Sequence, residues 1–322
     1  MNGGETGQRQ YFARKNKTFK RKGDADMKRY FSFILVVVMI FSLTVSASAA
    51  NGMETGRIGT QTAAERVYAE QKADAVERIA EIREAYFRNN RTISAADRSE
   101  LAELLGRYYP DSSIEKFLSC TKASTRANPG DYDSINLHLP GKLQETYYYC
   151  GPASGYAVLS GRGISVTQSE LARKMGTTTG GTGFYDVSEA LNQYNGVGGN
   201  RFHYSTMPGY VLTGESMTAT EWAIKFTNAA ITTLLGEYGV IYNIHQYEGY
   251  SSYLTGYDNN GDGLGDYEMW HFVAGEGFNS SDPSNRVCYY YDSNVKDNLG
   301  DHHMSISFRV MAILCNDRGL IY

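Results

Sequence analysis

The chain has 322 residues, of which 42% are hydrophobic and 20% charged, so it is long enough to bury a core without disulfide or metal staples. Its formal net charge at pH 7 is −4, and the part after residue 49 holds 22 basic and 32 acidic residues, a formal charge of −10. An acidic chain of this kind gives no electrostatic basis for binding nucleic acid.

The sequence predicts an export signal near its N-terminus. Residues 27–49 combine a charged start at Lys28 and Arg29, an apolar run shorter than the roughly 20 residues of a spanning helix, and the small residues Ala47-Ser48-Ala49. This pattern predicts a signal peptide cleaved near Ala49, a secreted protein, and no membrane contact after cleavage. Residues 1–26 are basic and precede the natural start of the signal, which indicates a disordered extension or a misassigned start, with Met27 as the true one.

Residues 50–127 read as a helical region. Apolar residues recur at helical spacing between Tyr68 and Tyr86, and Ser94 with Asp97 and Ser112 with Glu115 resemble capping boxes. A polar, turn-rich stretch, "CTKASTRANPGDYDS", follows and reads as a linker. Two interpretations stay open: an inhibitory pro-region lying across a cleft, which would be an intramolecular partner, or a helical stalk or added subdomain.

Residues 128–322 form the second region, where helices come first and strands follow. Helices are predicted to start at Cys150, after Thr167, near Tyr185 and after Thr218. After Gly239 the patterns are strand-like: "VIYNIHQY", "WHFVAGEGF", "RVCYYYDS" and "SISFRVMAILC". This order predicts an α+β fold.

Four residues in this region suit thiol chemistry. Cys150 directly precedes Gly-Pro at a predicted helix start, where the helix dipole favours the thiolate. Gln144 supplies an amide that can join the Cys150 N–H in holding an oxyanion. His271 opens a strand and Asp292 ends another, the placement expected of a base and the carboxylate that orients it. His203 and His245 are interpreted as structural, and His302 and His303 as exposed loop residues.

Four cysteines remain after the predicted cleavage, namely Cys120, Cys150, Cys288 and Cys315. Export permits disulfides, and a pairing of Cys288 with Cys315 would leave Cys150 free. The sequence does not choose among the pairings.

The block from Tyr147 to Tyr194, with "CGPASGYAVLS" and "TQSELARKMGTTTGGTG", resembles the papain-fold peptidases related to bacteriocin-leader (double-glycine) processing enzymes. "HFVAGEGF" and "YYYDS" resemble that family's His-strand and Asp-strand, and the resemblance covers roughly residues 135–315. It implies a papain-like fold with Cys150 as nucleophile, His271 as base, Asp292 as orienting residue and Gln144 as oxyanion donor. Two departures are Ser293, where family members often have proline, and the absence of a following transporter segment.

A separate signal precedes His271 in "DNNGDGLGDYE". Asp258, Asn260, Asp262 and Asp266 take positions 1, 3, 5 and 9 of a Ca²⁺ loop, with Gly263 at position 6. Met269 replaces the glutamate expected at position 12, so a calcium site and a plain Asn/Gly turn both remain open.

The sequence therefore predicts a secreted cysteine peptidase that acts on peptides or proteins and needs no cofactor, with structural calcium as an additional expectation. Tyr250, Tyr253 and Tyr257 are candidates to line its cleft. One alternative keeps the triad in a transglutaminase-like acyl transferase or a cell-wall amidase. Another is a catalytically inactive, calcium-ordered binding module.

Overall fold

The computed structural model describes residues 57–118, 134–282, 284–294 and 302–322. The predicted signal peptide, the predicted extension before it, Cys120 and the predicted linker up to residue 133 lie outside the described residues. Among the residues that are described, no helix is both long and apolar enough to cross a membrane.

The described chain starts with three helices, α1 (Ala63–Arg88), α2 (Ala95–Tyr108) and α3 (Ile114–Leu118). Ser94 caps α2 as predicted, since its hydroxyl accepts from the Asp97 N–H at 3.0 Å. The predicted cap at Ser112 is wrong. Ser113 caps α3 instead, accepting from the Lys116 N–H at 3.2 Å, while the Ser112 hydroxyl donates to the carbonyl of Gly236.

Helices then alternate with short strands up to residue 235. The elements are β1 (Ser134–Asn136), α4 (Cys150–Gly161), α5 (Gln168–Lys174), α6 (Phe184–Asn192), β2 (Thr206–Pro208), α7 (Tyr210–Thr213) and α8 (Ala219–Leu235), with a 3-10 turn at Val197–Gly199. The four predicted helices are confirmed in α4, α5, α6 and α8. Thr218 and Glu221 form the predicted capping box of α8.

The second half of this region carries the strands β3 (Val240–Gln246), β4 (Met269–Asn279), β5 (Val287–Tyr291), β6 (His303–Ser307) and β7 (Gly319–Ile321). Their pairing is antiparallel throughout, in the order β2-β7-β3-β4-β5-β6, and β1 pairs with β4 beyond a bulge between Gly275 and Gly277. Helices packed on an antiparallel sheet confirm the α+β fold class.

One predicted strand is half wrong. "SISFRVMAILC" pairs as a strand only through Ser307, which then caps the helix α9 (Phe308–Leu314) by accepting from the Val310 N–H. Phe308, Met311 and Ala312 are buried on one side of that helix, a spacing of three and four rather than two. The helical period was therefore present in the sequence.

The first helices share a hydrophobic core with the sheet region. On α1, Val76, Ile79 and Ile82 are buried against it. Lys72 is also fully buried, which lowers the pKa of its amine, and its Nζ donates to the carbonyls of His203 (2.9 Å) and Tyr322 (2.8 Å). These contacts hold α1 on the part of the chain that follows residue 133.

Candidate active site

Cys150 is the first residue of α4, and its side chain is buried with 2% exposure. No side chain caps this helix end, so the free N–H groups of the first turn and the positive end of the helix dipole lie at the thiol. The segment around Thr182 of the same chain approaches this turn closely. A Cβ added at Gly151 would lie 2.9 Å from Thr182, which explains the glycine after the cysteine.

His271 lies on β4, opposite Ile244 of β3, and is 5% exposed. Its Nε2–H donates to Oδ1 of Asp292 at 2.8 Å. The Cys150 side chain is the other ionisable neighbour of the ring and contributes to raising the pKa of His271, and Nδ1 is the ring nitrogen left to face it. Packing of α4 across β4 thus brings together two residues that are 121 positions apart in the sequence.

The charges of this group support one another. Burial opposes a charge on His271, but the charge and hydrogen bond of Asp292 and the contact with Cys150 outweigh it and raise the pKa of His271 to about 10. Burial would raise the pKa of Asp292, yet the charge of His271 and the hydrogen bonds that the carboxylate accepts lower it. The imidazolium and the carboxylate are therefore the favoured forms at neutral pH.

Asp292 follows β5 and is fully buried. Besides His271, its Oδ1 accepts from the Asn294 N–H at 2.9 Å, and its Oδ2 accepts from the Tyr257 hydroxyl at 2.9 Å. The Asp292 carbonyl accepts from Nδ1 of His302 at 2.8 Å, and the Asp292 N–H donates to the His302 carbonyl. The carboxylate and its own backbone are thus both fixed.

These partners correct three expectations. Tyr257 does not line a cleft, because its side chain is fully buried against Asp292. His302 is part of the support of Asp292. His303 is exposed as expected, but it opens β6 instead of lying in a loop, with Nδ1 2.8 Å from the buried carboxylate of Glu276. Asn294 also supports Asp292 and was not predicted to do so. The Asp-Ser-Asn sequence could have indicated it, because an aspartate in such a turn accepts from the N–H two residues further on.

Gln144 is 7% exposed and is tied to the residue that follows Asp292. Its backbone N–H donates to the Ser293 carbonyl at 2.8 Å, and the Ser293 hydroxyl approaches its Oε1 at 3.4 Å. Within the described residues, no acceptor takes the amide hydrogens of Gln144. The serine that stands in place of the family's proline therefore orients the side-chain amide.

The described cysteines are all free thiols. Cys288 and Cys315 are buried without a bond between them, so the pairing considered for them is absent, and Cys120 lies outside the described residues. Burial raises the pKa of both Cys288 and Cys315, which keeps these two thiols protonated.

The predicted calcium loop forms a tight turn with Gly263 at φ +83. The Asp258 carboxylate accepts from the N–H groups of Gly261 (2.7 Å) and Gly263 (2.9 Å), and Asp262 accepts from the Leu264 N–H. Asn260 donates to Asp262, and the Asp266 carboxylate accepts from the backbone of residue 259.

The donor set of this loop has the chemistry that calcium prefers, but it is incomplete. Glu268, one place before the position of the missing glutamate, lies 3.4 Å from Nε2 of His245. Among the described residues, no group of three or more His, Cys, Asp and Glu side chains is arranged to hold a metal ion. Calcium at Asp258, Asn260, Asp262 and Asp266 stays a prediction.

The model of the Peptidase_C39 like family matches residues 136–309, which is more than half of the chain. The matched range contains all four candidate residues. A comparison with curated proteins gives no match. Among solved structures, digestive procathepsin L 3 of the Tenebrio molitor larval midgut is 14% identical, with 82% of this chain and 93% of that chain covered and a TM-score of 0.37. Recombinant stem bromelain precursor is 11% identical, with 92% and 97% covered and a TM-score of 0.39. At these scores neither likeness assigns a role to any residue here.

Proposed function

Because the chain belongs to the Peptidase_C39 like family of cysteine peptidases, we propose that it hydrolyses peptide bonds with Cys150 as nucleophile, His271 as acid and base, and Asp292 as orienting residue. The observation that carries the proposal is the 2.8 Å hydrogen bond between the His271 ring and the buried Asp292 carboxylate, with the Cys150 side chain as the other ionisable neighbour of the ring. Gln144 is the proposed side-chain donor to the oxyanion.

In the first step the Cys150 thiolate attacks the peptide carbonyl carbon, and the carbonyl oxygen takes up the negative charge. The Cys150 N–H, which has no acceptor within its helix, and the amide of Gln144 donate to that oxygen. The C–N bond then breaks as Nδ1–H of His271 protonates the leaving amine, which leaves a thioester on Cys150.

The raised pKa of His271 does not prevent this proton transfer. Part of the rise comes from the negative charge of the Cys150 thiolate, and that charge disappears when the sulfur attacks the carbonyl. The ring thereby becomes a stronger acid at the moment at which the amine needs a proton. Neutral His271 then removes a proton from water, which attacks the thioester and releases the carboxylic acid.

Export belongs to the same proposal. The signal at residues 27–49 would direct the peptidase out of the cell, where it acts on a peptide or protein. Mass determination of the secreted chain tests this directly, since cleavage after Ala49 gives a mature N-terminus at Ala50. A product that retains residues 1–49 would contradict it.

The catalytic proposal is tested by the alkylation rate of Cys150 with iodoacetamide as a function of pH, followed by peptide mass spectrometry. An ordinary thiol with a pKa of about 8.5 is below 1% ionised at pH 6, so an ion pair with His271 should make Cys150 react on the order of 100-fold faster there than in His271→Ala. Cys288 and Cys315 serve as internal controls that should stay unlabelled until the protein unfolds.

Labelling of Cys150 at pH 6 that is no faster than in His271→Ala would contradict an activated nucleophile. If activation is found, product analysis decides among the reactions that share these residues. Hydrolysis predicts two peptides from one even when an added amine is present, and a substantial amide product with that amine would instead indicate an acyl transferase.

A further inference from the structure

The two oxygens of the Asp292 carboxylate have separate partners. Oδ1 faces the His271 ring and the Asn294 N–H, whereas Oδ2 accepts from the Tyr257 hydroxyl at 2.9 Å. A carboxylate bound through one oxygen only can rotate about its Cβ–Cγ bond, and a donor on the second oxygen fixes that rotation.

The hydroxyl of Tyr257 has a defined direction. The side-chain amide of Asn294 donates to the Tyr257 oxygen at 2.9 Å, so the hydroxyl is an acceptor in that contact and directs its own hydrogen to Asp292. Asn294 therefore acts on Asp292 twice, directly through its backbone N–H and indirectly through Tyr257.

We propose that Tyr257 is a positioning residue of the active site, which holds the Asp292 carboxylate in the plane that His271 requires. This inference rests on the proposed function. In this scheme Tyr257 acts through Asp292, whose Oδ2 accepts from its hydroxyl.

The backbone around Tyr257 suits this role. Its N–H donates to the carbonyl of Leu254 at 3.2 Å, and its own carbonyl accepts from the Asp266 N–H at 2.9 Å. Tyr257 thus stands at the closed base of the loop that carries Asp258 and Asp262. An event that reshapes this loop would therefore act on the backbone of the residue whose hydroxyl holds Asp292.

Other groups around Asp292 provide a matched control. Tyr290 is buried on the strand just before it, but its hydroxyl accepts from the Thr255 N–H at 3.0 Å, and among the described residues no hydrogen bond joins it to the Asp292 carboxylate. His302 contacts the backbone carbonyl of Asp292 rather than its carboxylate. Tyr290→Phe therefore removes a buried hydroxyl in the same neighbourhood without altering the carboxylate.

The test compares Cys150 alkylation in the intact protein and in Tyr257→Phe, which keeps the ring and removes only the hydroxyl. Loss of one hydrogen bond to a buried charge should slow alkylation about tenfold at pH 6. The effect should shrink to less than about twofold near pH 8.5, where an ordinary thiol is half ionised without help. Tyr290→Phe should react like the wild type at both pH values.

A double-mutant cycle with Asp292→Ala separates positioning from a general structural role. If Tyr257 acts through Asp292, Tyr257→Phe should change the rate by less than about twofold in the Asp292→Ala background. An equal loss in both backgrounds, or no loss in the wild-type background, would overturn the inference while leaving the proposed function intact. A wild-type rate no higher than that of His271→Ala would instead remove the proposed function and this inference with it.

Discussion

The helices before residue 119 and the region after residue 133 both use ionisable side chains, but they use them differently. In the region after residue 133, the buried Asp292 carboxylate holds the His271 ring at 2.8 Å, and Cys150 is the other ionisable neighbour of that ring. In the helical region, Lys72 and Asp111 bind groups that take no part in the proposed chemistry. We therefore expect the first set to affect reactivity and the second to affect whether the helices stay docked.

The docking contacts lie away from the nucleophile. Asp111 binds Arg162 at 3.0 Å and Arg201 at 2.9 Å and accepts from the Tyr238 hydroxyl at 2.6 Å. Arg162 is the residue that ends α4, and Cys150 begins it, so a helix of 12 residues, about 18 Å, separates the two. Substitutions in the two regions should therefore have separable effects.

The largest effect on stability is expected for Lys72→Ala. The substitution leaves a cavity under three aromatic rings and removes the donor to the His203 carbonyl, so the free energy of unfolding should fall by about 3 kcal/mol. Urea denaturation measures this change. Cys150 alkylation at pH 6, under native conditions, should be unchanged.

Lys225→Ala is the matched control for Lys72→Ala. Lys225 joins the same helix to α8 through Glu77, but the pair is exposed, so its loss should cost less than about 1 kcal/mol. A Lys72 variant with unchanged stability but slowed alkylation would contradict the division between docking and reactivity.

Asp111→Ala should have a smaller effect, about 1.5 kcal/mol, because its partners keep some contact with water. Burial opposes ionisation, but the Tyr238 hydroxyl and the two arginines outweigh it and lower the pKa of Asp111 in the folded protein. The stabilisation is therefore complete above the unfolded value of about 3.9 and is lost as the pH falls through the lower folded value.

Denaturation of wild type and Asp111→Ala at several pH values tests this sign. The difference between them should be constant from pH 5 to 7 and shrink in acid, whereas Glu115→Ala, which removes an exposed pair with Arg98, should change stability little at any pH. A difference that grows as the pH falls would refute the assignment.

The proposed catalytic residues could be predicted from the sequence because thiol chemistry needs particular residue types. A thiol before Gly-Pro, a histidine on a strand and an aspartate ending the next strand are local patterns, and helix packing brought them together. Tyr257 was misread because a tyrosine suits both a cleft and a buried hydrogen bond, and only the long-range contact with Asp292 distinguishes them.

Much of the fold could also be predicted, from the spacing of hydrophobic residues and from the residues that cap helices. Thr167 and Thr218 marked helix starts correctly, while Ser112 and Ser113 offered two adjacent hydroxyls and only the structure selects Ser113. The docking role of Lys72 had no local signal, because both of its carbonyl acceptors lie more than 130 residues further along the chain.

The smallest effect on stability is expected at the loop from Asp258 to Asp266. This loop also tests the division between docking and reactivity, since it belongs to the region after residue 133 but is exposed. If calcium binds there with the affinity of extracellular sites, about 10⁻⁴–10⁻³ M, millimolar calcium should stabilise the protein by about 1 kcal/mol. Thermal unfolding with calcium and with chelator measures this. Asp262→Ala should abolish the shift, and Asp282→Ala, an aspartate in another exposed turn, should retain it.

The same titration connects the loop with reactivity. Tyr257 closes the loop through the Asp266 N–H, so calcium that orders the loop should also speed Cys150 alkylation at pH 6, and this gain should vanish in Tyr257→Phe. A thermal shift without a change in alkylation would show that calcium affects stability and not reactivity, as is expected of Lys72 and Asp111. The absence of any shift would identify the loop as an Asn/Gly turn, held by the backbone hydrogen bonds that Asp258 accepts.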